Sequence, residues 1–194
     1  MPASVEEELN SLLPDQKFDR RHFMQAGVGL GFAAAVSPIM AQTQIKTDTD
    51  GLVAGAVQIP VGKESIPAYR ARPAHAAKPA VVLVVSEIFG VHEHIADLCR
   101  RFAKAGYYAI APELFVRQGD VSNKPSIKEV IDVVAQASDV QVLGDLDACV
   151  AHAAGEGADT ARLAITGFCW GGRIVWMYSA HHTALKAGAA WYGR

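Results

Sequence analysis

The chain has 194 residues, 51% of them hydrophobic and 20% charged, with a formal net charge of -2. That balance belongs to a globular chain able to bury a sizeable core. It carries no basic excess that would favour nucleic acid and no acidic run that would favour cationic partners.

The first segment, "FDRRHFMQAGVGLGFAAAVSPIMAQ", does not read as part of a fold. It pairs Arg20 and Arg21 with an uncharged run from Ala26 to Ala41. That run is short and glycine-rich, whereas a spanning helix needs about 20 strongly apolar residues, so a signal peptide is the better reading than a membrane span or a core helix. Asp19 to Met24 resembles the twin-arginine export motif, with Phe23 and Met24 after the arginine pair. Residues 1–41 are therefore expected to be a signal peptide cut near Ala41. The twin-arginine export machinery is the expected partner, the periplasm or the outside of the cell the expected destination, and no stable membrane span is expected after processing.

Residues 42–194 alternate between two periodicities. "GLVAGAVQIP" and "ESIPAYRARP" read as strands joined through Val61-Gly62-Lys63. "AVVLVVSEIFG" is a continuous Val-rich run of the kind a strand buried on both faces requires. In "HEHIADLCRRFAKAG", Ile95, Leu98, Cys99 and Phe102 fall at helical spacing, and Gly106 closes the helix. "YYAIAPELF" is a short strand, and residues 125–157 read as helical with a break near Ser138. "ARLAITGF", "GGRIVWMYSAHH" and "LKAGAAWYG" read as strand, helix and strand. Strands alternating with helices predict a mostly parallel sheet covered on both faces.

Three cysteines form no disulfide framework. Cys99 and Cys149 lie in helical patterns, where a thiol is by default a small buried hydrophobe. Cys169 differs. In "ITGFCWGGR" it follows a strand and precedes a helix, with Gly167 and Gly171 two residues to either side. This is the context of a nucleophile elbow, in which a strained turn holds the reactive side chain above the carboxyl ends of the strands. The following helix amino terminus favours thiolate.

An elbow needs an oxyanion hole, for which the backbone amide of Trp170 supplies one donor and the exit of the Val-rich strand, at Glu87, Ile88 and Phe89, supplies the other. A carboxylate at that exit costs desolvation energy without a partner, and Cys169 is a candidate partner for Glu87. Arg117, after the next strand, is either a solvated loop charge or a bidentate grip for a carboxylate.

The segment "SEIFGVHEHIADLCRRFAKAGYYAIAPELFVRQGD" together with "ITGFCWGGR" resembles the dienelactone hydrolases, the carboxymethylenebutenolidases, of the α/β-hydrolase superfamily. The resemblance runs from about residue 50 to the end and implies a three-layer α/β sandwich with a mostly parallel sheet. It implies that Cys169 attacks a lactone or ester carbonyl, that Glu87 pairs with the thiol and takes its proton, and that the amides of Ile88 and Trp170 hold the oxyanion. It implies that Arg117 binds a carboxylate on a small-molecule substrate. No cofactor is implied.

His92, Glu93 and His94 invite a metal reading, but "HEH" lacks the i, i+4 spacing that puts two imidazoles on one helical face, and solvated helix ends are the expectation. Tyr107, Tyr108, Trp176 and Trp191 are expected to pack the core or line the crevice.

In this superfamily the triad runs nucleophile, acid, histidine along the chain. After Cys169 the sequence contains no Asp or Glu, and its later histidines, His181 and His182, fall about 18 Å down the elbow helix at about 1.5 Å per residue. The expectation is therefore a partial domain over residues 42–194, lacking the last strands and inactive by itself for want of the triad Asp and His. A non-catalytic exported binding protein, or a remnant of the hydrolase, is the second reading.

Overall fold

A computed structural model describes residues 45–193. The expected signal peptide and its cleavage site lie outside them. Strands β1 (Leu52–Val61) and β2 (Glu64–Pro73) form a hairpin whose turn needs Gly62 at φ 62°. They are followed by β3 (Ala80–Val85), helix α1 (Glu93–Lys104) and β4 (Tyr108–Pro112). Next come α2 (Ile127–Val134), α3 (Asp139–Gly155), β5 (Asp159–Phe168), α4 (Trp170–His181) and β6 (Ala187–Trp191). Ser126 and Ser138 cap α2 and α3, accepting from the amides of Glu129 and Gln141, so the expected break at Ser138 is an N-cap.

The six strands make one sheet in the order β1-β2-β4-β3-β5-β6. β1, β2 and β4 pair antiparallel; β4, β3, β5 and β6 are parallel to one another. β3 lies inside and is buried on both faces: Val81, Leu83 and Val85 join one core and Val82 and Val84 the other. Ile95, Cys99 and Ala103 of α1, four residues apart, cover the smaller core. Val142, Leu146 and Cys149 of α3, with Ile174, Val175 and Tyr178 of α4, cover the larger. The expected three-layer α/β sandwich is the observed one.

Three of the four aromatic expectations fail. Tyr108 is buried, but Trp176 is 66% exposed on α4, and Tyr107 and Trp191 line an apolar groove of about 560 Å³ with Leu98, Phe102 and Phe168. Helical periodicity does not say which neighbours the far face of α4 receives, so Trp176 could not be placed from sequence.

This topology makes one crevice. β3 leads to α1 on one face of the sheet, whereas its parallel neighbour β5 leads to α4 on the other. Chains that leave adjacent strands in opposite directions open a gap at the carboxyl ends, where ligands of open α/β sheets bind. Val85 of β3 pairs with Gly167 of β5. Glu87 and Cys169 each lie two residues beyond that pair, on strands about 4.8 Å apart.

Candidate active site

Cys169 joins β5 to α4 at φ 53° and ψ -116°, a conformation that side-chain-bearing residues rarely adopt. The turn is held by backbone. The amide of Cys169 donates to the Trp191 carbonyl at 3.0 Å, and its carbonyl accepts from Gly172 at 3.0 Å. The flanking glycines are required by contact: a Cβ on Gly167 would lie 2.3 Å from the Gly171 carbonyl oxygen, and one on Gly171 would lie 2.5 Å from the carbonyl oxygens of both Val85 and Ser86. That second contact presses the first turn of α4 onto the end of β3 and brings the elbow beside Glu87. The Cys169 thiol is partly accessible, whereas burial pushes the thiols of Cys99 and Cys149 far above their ordinary range.

Trp170 is the first residue of α4, within the turn whose amides lack intrahelical acceptors. Its ring packs edge-on against Phe115 at 4.7 Å between centroids. Ile88 packs on the same core cluster as Trp170.

Glu87 is 6% exposed. Its carboxylate pairs with His92 rather than Cys169: His92 Nε2 lies 3.1 Å from Glu87 Oε2. Burial alone would raise the Glu87 carboxyl, but the His92 hydrogen bond and its own backbone amide hold it below its ordinary value. The expectation of a solvated histidine at the helix end is thus corrected for His92. It is the N-cap of α1 but makes no side-chain cap, so its ring is free to turn back over the β3 exit.

Glu113 stands at the exit of β4. It accepts from the amide of Val91 at 3.0 Å, and burial, reinforced by Asp120, raises its carboxyl. Gly90, at φ 74°, lets the chain pass it, since a Cβ there would meet Glu113 Oε2 at 2.7 Å. Tyr192 lies near the same mouth: burial raises its hydroxyl, and the charges of Glu87 and Cys169 raise it further.

Arg117 is engaged. Its guanidinium forms an ion pair with Asp145 of α3, whose side chain is 1% exposed. Burial outweighs the arginine and leaves the Asp145 carboxyl raised. Arg117 thereby ties the β4 exit loop to α3. His181, at the far end of α4, pairs with Asp147 at 2.8 Å, and His182 stacks on Tyr178.

Three of these groups were missed in the sequence. The expectation for His92 is a solvated helix end, with a metal ligand as the rejected alternative. Glu113 bears the signal that singled out Glu87, a carboxylate directly after a buried strand. Asp145 interrupts the apolar stripe Val142, Leu146, Cys149, which marks a buried charge needing a partner.

A parallel sheet between helical layers, with a strained residue between two glycines at a strand-to-helix turn, is the architecture of the α/β hydrolases. Residues 66–194 match the model of the dienelactone hydrolase family, and the chain belongs to that family. It is 56% identical over 194 residues to a Methylorubrum extorquens protein provisionally named a carboxymethylenebutenolidase, covering 99% of this chain and 67% of the relative. A relative from Escherichia coli with the same provisional name is 52% identical over 166 residues, covering 84% of this chain and 61% of its own. A crystal structure from Klebsiella pneumoniae, provisionally titled a dienelactone hydrolase, superposes with a TM-score of 0.72 at 54% identity, over 74% of this chain and 60% of that one. The chain thus spans about two thirds of the length of these relatives.

Proposed function

We propose that this chain carries the nucleophile half of a hydrolase for lactone or ester bonds in small, carboxylate-bearing molecules, with Cys169 as the nucleophile. The backbone strain at Cys169, fixed between two glycines that backbone contacts leave no room to replace, carries the proposal. Strain of this kind persists where a side chain must be presented to a ligand.

The Cys169 sulfur attacks the carbonyl carbon, the C–S bond forms, and the carbonyl electron pair moves onto oxygen. The amides of Ile88 and Trp170 hold that oxyanion. Glu87 receives the thiol proton; because its carboxyl is held low, it accepts only as the C–S bond forms. Collapse of the oxyanion breaks the C–O bond, and the leaving oxygen takes the proton from Glu87, which returns to its carboxylate. A thioester on Cys169 remains.

Water must then be activated, and among the described residues the histidines that follow the elbow, His181 and His182, lie at the far end of α4. His181 is occupied there by Asp147. The 194-residue chain is therefore proposed to acylate once and stall. Arg117 serves a substrate carboxylate through whatever of its guanidinium Asp145 leaves open. Residues 1–41 are proposed to direct export through the twin-arginine route to the periplasm or beyond.

The test is a comparison of the chain with a longer protein that continues beyond Arg194. With 4-nitrophenyl acetate the 194-residue chain should release one equivalent of nitrophenolate and stop, whereas the longer protein should turn over dienelactone steadily. Both activities should vanish in Cys169→Ala. Persistence of either in that variant contradicts the role of Cys169.

A further inference from the structure

The histidine that pairs with Glu87 lies outside the mechanism just given, yet the chain is built to put it there. β3 ends at Val85, and Gly90, at φ 74°, turns the chain back so that the amide of His92 bonds the Gly90 carbonyl at 3.1 Å. Glu113 clamps the turn through the Val91 amide. The result is an imidazole nitrogen 3.1 Å from the Glu87 carboxylate, which is buried and only two residues beyond the β3–β5 pair that also fixes the level of Cys169. A carboxylate can only accept, so Nε2 carries the proton and donates. Nδ1 is buried without a partner among the described residues, which suits a ring whose Nδ1 is a bare lone pair.

Resting on the reading of Cys169 and Glu87 as nucleophile and proton acceptor, we propose that His92 is the positioning residue of that acceptor. Its Nε2–H holds Glu87 Oε2, which leaves Oε1 to receive the proton of the Cys169 thiol. His92 does not touch the reacting atoms. It acts by fixing the plane of a carboxylate that would otherwise be free to rotate in the crevice. The groups facing the pair are His94, stacked on His92 at 6.2 Å, Glu113 from the β4 exit, Asp120 beyond it, and Tyr192 from the end of β6. A hydrogen bond to an ionised acceptor is the strong kind, so its loss is expected to slow thiol reaction by about tenfold.

The experiment measures alkylation of each cysteine in the full chain by iodoacetamide, from about pH 5 to 9, with mass spectrometry of the peptides. Cys99 and Cys149, each 0% exposed, stay unlabelled while the fold is intact and so report unfolding. His92→Leu should slow Cys169 labelling about tenfold at neutral pH and change its pH profile, whereas His92→Gln, which keeps an N–H donor, should stay within about threefold of the parent. In a Glu87→Gln background, His92→Leu should have no further effect, because its route to the thiol is gone. If His92→Leu exposes the buried thiols, His92→Met takes its place. Equal slowing by His92→Leu and His92→Gln, equal slowing with and without Glu87, or no slowing at all overturns the inference while leaving Cys169 and Glu87 in their roles. A Cys169 that does not react in the parent, or that reacts unchanged in Glu87→Gln, overturns the underlying reading and this inference with it.

Discussion

The two ends of the parallel strands both carry buried charge but treat it differently. At the amino ends, Glu156, which caps α3 at its carboxyl end, is cancelled by cations. Arg70 reaches its two oxygens at 3.2 and 3.0 Å, Arg72 approaches at 3.7 Å, and the buried Tyr108 hydroxyl donates at 2.9 Å. At the carboxyl ends, Glu87 and Glu113 are met by an imidazole and a backbone amide instead. Guanidinium stays charged at any pH a protein meets, so the amino end is a fixed clamp. An imidazole and a carboxyl group can each hold or give up a proton, so the other end is built from groups able to move one. Backbone strain is found at both ends: of the three positive-φ residues other than glycine among the described residues, Cys169 and Tyr192 stand at the carboxyl end and Lys78 stands just before β3 at the amino end.

The largest effect should come from the elbow. Gly171→Ala places a Cβ against two backbone carbonyls that cannot step aside, and should cost about 3 kcal/mol or prevent folding. A urea midpoint close to the parent's would show that the end of β3 and the first turn of α4 are not in the contact described. Next in size is Arg117→Leu, which strands the buried Asp145. Because Arg117 keeps 22% of its side-chain exposure, the loss should be about 2 kcal/mol, below the full range for a broken buried pair. Arg117→Leu in an Asp145→Leu background should recover stability while leaving any defect toward carboxylate-bearing substrates in place. That separates the tether from a role in binding. At the amino end, Glu156→Gln should cost about 1 kcal/mol through weakened charged hydrogen bonds, with no effect on Cys169 labelling.

The smallest effects are in pH dependence, and the two carboxylates should oppose each other. Glu87 is held below its ordinary value of 4.5, so its contribution to stability is full above that value and is lost as pH falls through the lower folded value. Glu113 is raised above 4.5, so the folded state keeps its proton longer and stability declines as pH rises from 4.5 through the raised value. Urea midpoints across about pH 3 to 7 should lose the acid-side fall in Glu87→Gln and the opposite slope in Glu113→Gln. A common response to both substitutions would mean that the two sites are not distinguished as described.

The order of strands and helices, the parallel sheet and the position of the elbow were readable because local signals agreed: a Val-rich run, apolar spacing at three and four, glycines two residues either side of Cys169. Charge pairing was not readable in the same way. Arg117 pairs with Asp145, 28 residues on, and Glu156 with Arg70, 86 residues back. Such partners are set by which strand lies beside which, and here β4 sits between β2 and β3. His92 escaped for a different reason, since its neighbour in space is only five residues away but is reached through a turn that depends on Gly90. Trp176, Trp191 and Tyr192 show the remaining limit: nothing in their spacing reveals that they are exposed.

The central claim is that the strained residue at the elbow is the one that forms a covalent bond with an acyl group. The most direct measurement is to mix the 194-residue chain with 4-nitrophenyl acetate, quench in acid, and map the acetyl group by peptide mass. One acetyl group is expected as a thioester on Cys169, removed by hydroxylamine, with Cys99 and Cys149 unmodified. Acetylation confined to lysines, or a chain left without any adduct while Cys169 remains free, would contradict it.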